Sequence, residues 1–285
     1  VMRDGLDPYK VLVLSQCDVL PRGVADQIHA FQRRGGIVIA DEAAAPAVIP
    51  DIRLAPFTRT QRADADKAAI LARAAALRTE LDPFYSRYAD SSTPDVVVRT
   101  RQYNSTDYLF AVNDRRTFGD YIGHHGLVME KGQPASATLT LARGAGHVYD
   151  LVTGTAVPAT AAGGRLQIAR NFSPAEGMLL MVTQQPITAV RIGLPPQAAP
   201  GSTVEIGIAV VDPHGRAVDA MVPVRVTITA ADGTEAEKTG WYGVGPQGLT
   251  LPLDLARNDP PGEWRITVKE LASGRSATAT LNVAR

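Results

Sequence analysis

The sequence predicts a multidomain, mainly β chain: an incomplete α/β (βαβ) segment followed by two antiparallel β-sandwiches, the last Ig-like. Three observations carry this expectation. Near the start, two continuous apolar runs, Lys10-Val-Leu-Val-Leu-Ser15 and Ile37-Val-Ile-Ala40, flank a helical pattern. From Val96 onward, short segments of strand-like residues recur between Gly, Pro, Asn and Asp turns, the spacing of sandwiches. The chain has 285 residues, which at roughly 100–200 residues per domain suits two or three domains. The expected boundaries are 1–89, 90–183 and 184–285.

The first apolar run reads as a buried strand of a parallel sheet. Val24 to Arg34 then carries Val24, Ile28 and Phe31 at helical spacing, and Gly35-Gly36 ends that helix because glycine accepts positive φ. Ile37-Val-Ile-Ala40 is the second buried strand, so the unit reads strand, helix, strand. Two strands leave a bare sheet edge. The expected remedy is a missing upstream region or a partner chain, and Val1 at position 1 suggests a fragment of something longer. Asp64 to Leu81 reads as a second amphipathic helix with Ile70, Leu71, Ala74 and Leu77 on one side.

In the middle segment, strands are expected at Val96–Gln102, Asp107–Val112, Leu127–Glu130, Ala135–Leu141, His147–Leu151, Arg165–Ala169 and Met178–Val182. Alternation is clearest in Ala135-Ser-Ala-Thr-Leu-Thr-Leu141. Asn113-Asp-Arg-Arg116 reads as a hairpin loop with local ion pairs. In the last segment, strands are expected at Thr188–Ile192, Thr203–Val211, Met221–Thr229, Ala236–Tyr242, Leu249–Leu255, Gly262–Glu270 and Ser276–Val283. Asp212-Pro-His-Gly215, Ala231-Asp-Gly233 and Ser273-Gly274 supply turns.

Composition limits the functional classes. Lys+Arg and Asp+Glu are 29 each, so the net charge is zero and gives no long-range pull on nucleic acid or anionic membrane. One cysteine excludes an intrachain disulfide scaffold. No apolar run is long enough to span a bilayer as a helix. The expected partners therefore exclude nucleic acid and membrane, and no cofactor is expected.

Three candidate sites stand out. Cys17 follows a parallel strand, where open α/β sheets place their sites. It lacks the glycines of a nucleophile elbow, and His29 is its nearest base in sequence, so a structural cysteine is favoured over a hydrolase nucleophile. His124-His125 is a tempting metal pair, with Asp120 and His147 the only nearby additions; three or four ligands are required, so no metal is expected. Trp241-Tyr242 is the candidate ligand-binding pair, an aromatic platform for a sugar. Adjacent strand residues face opposite ways, so one of the two belongs to the core.

Lys10 to Glu42, with Val-Leu-Val-Leu, Asp-Val-Leu and Phe-x-x-Arg-Gly-Gly-Ile-Val-Ile-Ala-Asp-Glu, resembles the class I glutamine-amidotransferase-like fold in its β-galactosidase trimerisation form. That resemblance implies a non-catalytic role. Val148-Tyr-Asp-Leu-Val-Thr-Gly154 and Phe172-Ser-Pro-Ala-Glu-Gly-Met-Leu-Leu-Met-Val182 resemble the C-terminal β-domains that follow catalytic barrels in glycoside hydrolases. Leu255 to Val268, with Pro261-Gly-Glu-Trp264, resembles macroglobulin-type and related Ig-like domains of bacterial surface proteins; Trp264 would anchor the core and Gly262 make the tight turn. Together these resemblances imply a non-catalytic accessory region of a large, secreted, periplasmic or surface-attached glycoside-hydrolase-like protein. Its expected partners are the missing catalytic region, a homo-oligomer, or carbohydrate. The alternatives are a carbohydrate-binding module at Trp241 and Tyr242, and an amidotransferase-like hydrolase at Cys17.

Overall fold

The computed structural model describes residues 6, 9–55, 57, 58, 60, 63–122 and 127–284, with backbone alone at 63, 64, 118–122 and 127–129. His124 and His125 lie outside the described residues. The chain divides into two compact units: 1–87 with 118–129, and 88–117 with 130–285.

The first unit opens with β1 (Val11–Leu14), α1 (Arg22–Arg33), β2 (Ile37–Ala40), β3 (Ile52–Arg53) and α2 (Ala63–Leu81). The three strands form a parallel sheet in the order β1-β2-β3. The third strand is a correction to the two-strand expectation. A two-residue strand is too short to show a period, and Asp51 marks it instead. Its Oδ2 accepts the Val38 N–H at 2.8 Å and the Gln32 amide at 3.1 Å, tying the start of β3 to β2 and α1. Helix α1 ends as expected. Gly35 has φ +86°, and the Gly36 N–H reaches back to the Phe31 carbonyl at 3.0 Å. Ala25, Ile28 and Phe31 are its buried residues; Val24 stays largely outside. They pack with Leu12, Leu14 and Val38.

Two further expectations fail in this unit. β1 is not a buried strand, since Val13 is 56% exposed. Alternate residues of a strand face opposite ways, and only the Leu12–Leu14 side lies against the α1 cluster. Nor does α2 bury its apolar stripe. No side chain in its described part is buried, and Ile70 is half exposed. Eight of its 19 residues are alanine, spread over more than one side, so backbone propensity forms it without a cohesive face.

The second unit holds both sandwiches. Its first part contains β4 (Ala89–Ser91), β5 (Val96–Tyr103), β6 (Thr106–Asn113), β7 (Arg116–Ile122), β8 (Leu127–Gly132), β9 (Ala135–Leu141), β10 (His147–Asp150), β11 (Thr155–Val157), β12 (Thr160–Ala162), β13 (Arg165–Phe172) and β14 (Gly177–Thr183). β7 and β8 pair as a separate ribbon; of its strands, 118–122 and 127–129 fall in the first unit. The rest form a five-stranded sheet, β11-β10-β14-β6-β5, and a four-stranded sheet, β12-β13-β9-β4. The alternation read in β9 is real: Ala135, Ala137, Leu139 and Leu141 are buried against Leu109, Leu166, Ile168 and Leu180. β4, β7, β11 and β12 escaped the sequence reading; three of them are three-residue edge or linking strands without a visible period.

The Asn113 to Arg116 turn is structural. The Asn113 side chain is buried, and its amide donates at 2.8 Å to the carbonyls of Gln133 and Ser173. Arg116 pairs with Asp114 and Glu130.

The last part contains β15 (Ala189–Gly193), β16 (Gln197–Ala198), β17 (Thr203–Val211), β18 (Val222–Thr229), β19 (Gly240–Val244), β20 (Leu249–Asp254), β21 (Gly262–Glu270) and β22 (Ser276–Val283). Sheets β15-β17-β20 and β16-β22-β21-β18-β19 face each other across a core of Val, Ile and Leu. β15 joins one sheet, then Pro195-Pro196 breaks it, and β16 joins the other in parallel with β22. Trp264 is 3% exposed and donates its indole N–H to the Pro260 carbonyl at 2.9 Å, so it anchors the core as expected. Gly262 sits at φ +124°, a conformation closed to other residues, with Ala231 beside it. β19 starts four residues later than expected because Ala236 to Thr239 fold into a turn, the Thr239 N–H meeting the Ala236 carbonyl at 3.0 Å.

Candidate functional site

A dense polar arrangement in the second unit forms the joint between its two sandwiches. The β5–β6 turn presents Asn104 and Ser105, and the segment before β18 presents Asp219. The Asp219 carboxylate accepts the Asn104 amide at 2.8 Å, the Ser105 N–H at 3.2 Å and the Ser105 hydroxyl at 2.6 Å. Those donors, Ser105 first and then Asn104, hold its pKa below the ordinary carboxylate value. Thr106 adds a bond from its hydroxyl to the Asp219 carbonyl at 2.7 Å. The Tyr108 hydroxyl donates to the Met221 carbonyl at 2.7 Å and accepts the Met221 N–H at 2.8 Å.

Apolar packing continues the same joint. Tyr149 on β10 and Met181 on β14 point out of the first sandwich and are buried in the core cluster of the second. The Tyr149 hydroxyl accepts the Ile187 N–H at 2.8 Å, and Arg275 donates to the Ile187 carbonyl at 3.2 Å. Burial pushes the phenols of Tyr108 and Tyr149 above their ordinary pKa.

Four carboxylates are buried elsewhere in this unit, and each is held by its neighbours. Asp107, 1% exposed, accepts Arg143 at 2.6 Å, the Tyr88 hydroxyl and the Gln102 amide. Burial, then the Asp107 contact, raises the Tyr88 pKa. Asp150 pairs with Arg170 at 3.0 Å across the first sandwich. Asp212 closes its own turn with Arg216. Glu270 accepts the N–H groups of Ala272, Ser273 and Arg275 at the β21–β22 turn. Among the described residues no buried side-chain nitrogen or oxygen lacks a partner. Each of these four carboxylates is thus satisfied within the fold.

The sequence candidates separate. Cys17 is half-buried, and its carbonyl accepts the Ala45 N–H at 2.8 Å. His29 is engaged with the Ala47 carbonyl at 2.7 Å, and no hydrogen bond joins it to Cys17. The positive φ at this strand end, +53°, belongs to Gln16, whose N–H is held by Asp41 at 2.7 Å. Trp241 and Tyr242 on β19 face opposite ways. Tyr242 packs toward the core and donates its hydroxyl to the Lys238 carbonyl at 2.8 Å. Trp241 is 68% exposed, with the Arg225 guanidinium 5.1 Å from its ring centroid. The structure thus leaves one of the two rings on the surface. Asp219, Ser105, Tyr149 and Arg225 went unnoticed in the sequence because their partners are set by strand register and domain contact, which no local pattern records.

Residues 199–283 match the MG2 domain family. Among curated proteins nothing matches the chain. Solved structures with partial likeness include the PKD domain of an M14-like peptidase from a Thermoplasmatales archaeon, at 15% identity and TM-score 0.25, covering 35% of this chain and 98% of that one. A second is the adhesin InvE of Yersinia pseudotuberculosis, at 8% identity and TM-score 0.28, covering 68% and 60%. A third is a putative beta-galactosidase from Bacteroides fragilis, at 13% identity and TM-score 0.24, covering 63% of this chain and 33% of that one. Likenesses of this size assign no activity. The chain is a multidomain, mainly β protein, and its residues 199–283 match an MG2-type, macroglobulin-like Ig domain.

Proposed function

We propose that this chain is a non-catalytic accessory segment of a larger protein working outside the cytoplasm, with the two sandwiches acting as one stiff spacer. The observation that carries the reading is the joint. Tyr149 and Met181 of the first sandwich lie in the core of the second, and Asp219 and Tyr108 lock the turn beside them. Flexibly linked domains share little more than a polar contact, so a common apolar core favours a fixed angle. The MG2 match supports an accessory Ig-like role for the end of the chain. The glycosidase-like phrases at 148–154 and 172–182 favour a glycoside-hydrolase-like parent, whose paired carboxylates would lie on another part of that protein.

The test uses the full chain with Cys17→Ser and spin labels on cysteines at Thr160→Cys and Asn258→Cys, one on each sandwich. A single narrow distance distribution is expected. A broad one would remove the spacer reading. Turnover of any substrate in a panel of aryl glycosides, esters and amides would remove the non-catalytic one.

A further inference from the structure

The outer face of the sheet β16-β22-β21-β18-β19 carries an exposed row of aromatic and cationic side chains. Register places Trp241 beside Arg225 and Arg225 beside Lys269, so three neighbouring strands present an indole, a guanidinium and an ammonium in one row on one face. The next row along the strands is Thr227, Thr267 and Thr278, with the hydroxyls of Thr267 and Thr278 3.1 Å apart. Among the described residues neither Arg225 nor Lys269 pairs with a carboxylate. The guanidinium covers one side of the indole, and the residue is still 68% exposed at the edge of the sheet.

We propose that this row binds an acidic polysaccharide, a chain of uronic-acid units laid flat across β19, β18 and β21. The free side of the Trp241 ring stacks on the apolar C–H face of one sugar. Arg225 and Lys269 pair with the carboxylates of the units beyond it, and the threonine row faces the hydroxyls. Two strand spacings separate Trp241 from Lys269, about 10 Å, the reach of a disaccharide. Charge selects this occupant over others. Two unpaired cations on a chain of zero net charge are too few for a phosphate backbone, whose binding rests on many neutralised charges. The exposed ring and the threonine row suit the apolar face and the hydroxyls of a sugar, which an acidic peptide does not offer together.

The experiment is calorimetric and fluorescence titration of the full chain with polygalacturonate, a neutral glucan and a single-stranded oligonucleotide. The chain has two tryptophans, and Trp264 is buried, so the quenchable emission reports Trp241. Polygalacturonate should shield that emission from acrylamide and bind with an affinity that falls as salt rises. Trp241→Ala should abolish binding while lowering the melting temperature by no more than about 4 °C, the cost of one exposed cation–π contact. Arg225→Gln with Lys269→Gln should weaken binding at least about tenfold. No heat and no shielding with polygalacturonate, binding that survives Trp241→Ala, or equal binding of the neutral glucan or the oligonucleotide would each overturn the proposal.

Discussion

Removing one oxygen atom tests the joint most sharply. In Tyr149→Phe the ring stays in the core of the second sandwich, and only the hydroxyl that accepts the Ile187 N–H at 2.8 Å is lost. Tyr149 and Ile187 are 4% and 3% exposed, so water does not replace the acceptor. An unsatisfied buried donor costs about 1–3 kcal/mol. For a cooperative body of 150–250 residues, each kcal/mol lowers the melting temperature by roughly 2–4 °C, so a fall of about 2–12 °C follows. The assay is calorimetric melting of the full chain, with Trp264 emission followed in parallel. Because the two sandwiches share a core, both should melt in one transition before and after the substitution. A wild-type profile in which they melt separately, or a variant indistinguishable from wild type, would refute the reasoning.

The remaining predictions concern charge. Arg143→Met leaves Asp107 buried without its cation, and breaking a buried pair costs about 3–5 kcal/mol; chemical denaturation should show it, while Arg265→Met, at the surface ion pair with Glu263, should move stability by under about 1 kcal/mol. The phenols of Tyr88, Tyr108 and Tyr149 have folded pKa values above 10.0, so the folded state holds their protons longer than the unfolded chain. Their contribution is complete below pH 10 and is lost as pH rises through the folded values; a series of melts above pH 10 should therefore fall, less steeply in Tyr149→Phe. Asp219 behaves in the opposite sense. Its folded pKa lies below 3.8, so its contribution is present above that value and disappears as pH falls through the folded one. Asp219→Asn should flatten the acid limb of stability against pH.

Period-two alternation carried most of the β architecture. β9, β17, β18 and β21 were readable because each shows one face to a core and one to solvent, and their bounds lie at or near where the pattern put them. Strands of two or three residues, such as β3, β12 and β16, were invisible, since so short a run has no period. Helix α2 was legible as a helix but misleading as a packed one. Ile70, Leu71, Ala74 and Leu77 suggested one apolar side, but alanines at many other positions blur any such face, and none of its described side chains is buried. At the candidate site, the exposure of only one ring of Trp241 and Tyr242 followed from strand geometry alone. That Arg225 stands beside Trp241, with Lys269 on the strand beyond, did not, because a neighbour across a sheet is many residues away along the chain.

The joint also bears on how the protein is produced. Asn104-Ser-Thr106 and Asn171-Phe-Ser173 are both acceptor sequences for N-linked glycans. The nitrogen that would carry the first glycan is the one that donates to Asp219 at 2.8 Å. Passage through a eukaryotic secretory pathway would hang an oligosaccharide on the seam between the sandwiches before they close. Asn171 lies exposed on β13, and its bond from the Ser136 hydroxyl uses the amide oxygen, which a glycan on the nitrogen leaves in place. A host without this glycosylation machinery keeps the seam clear.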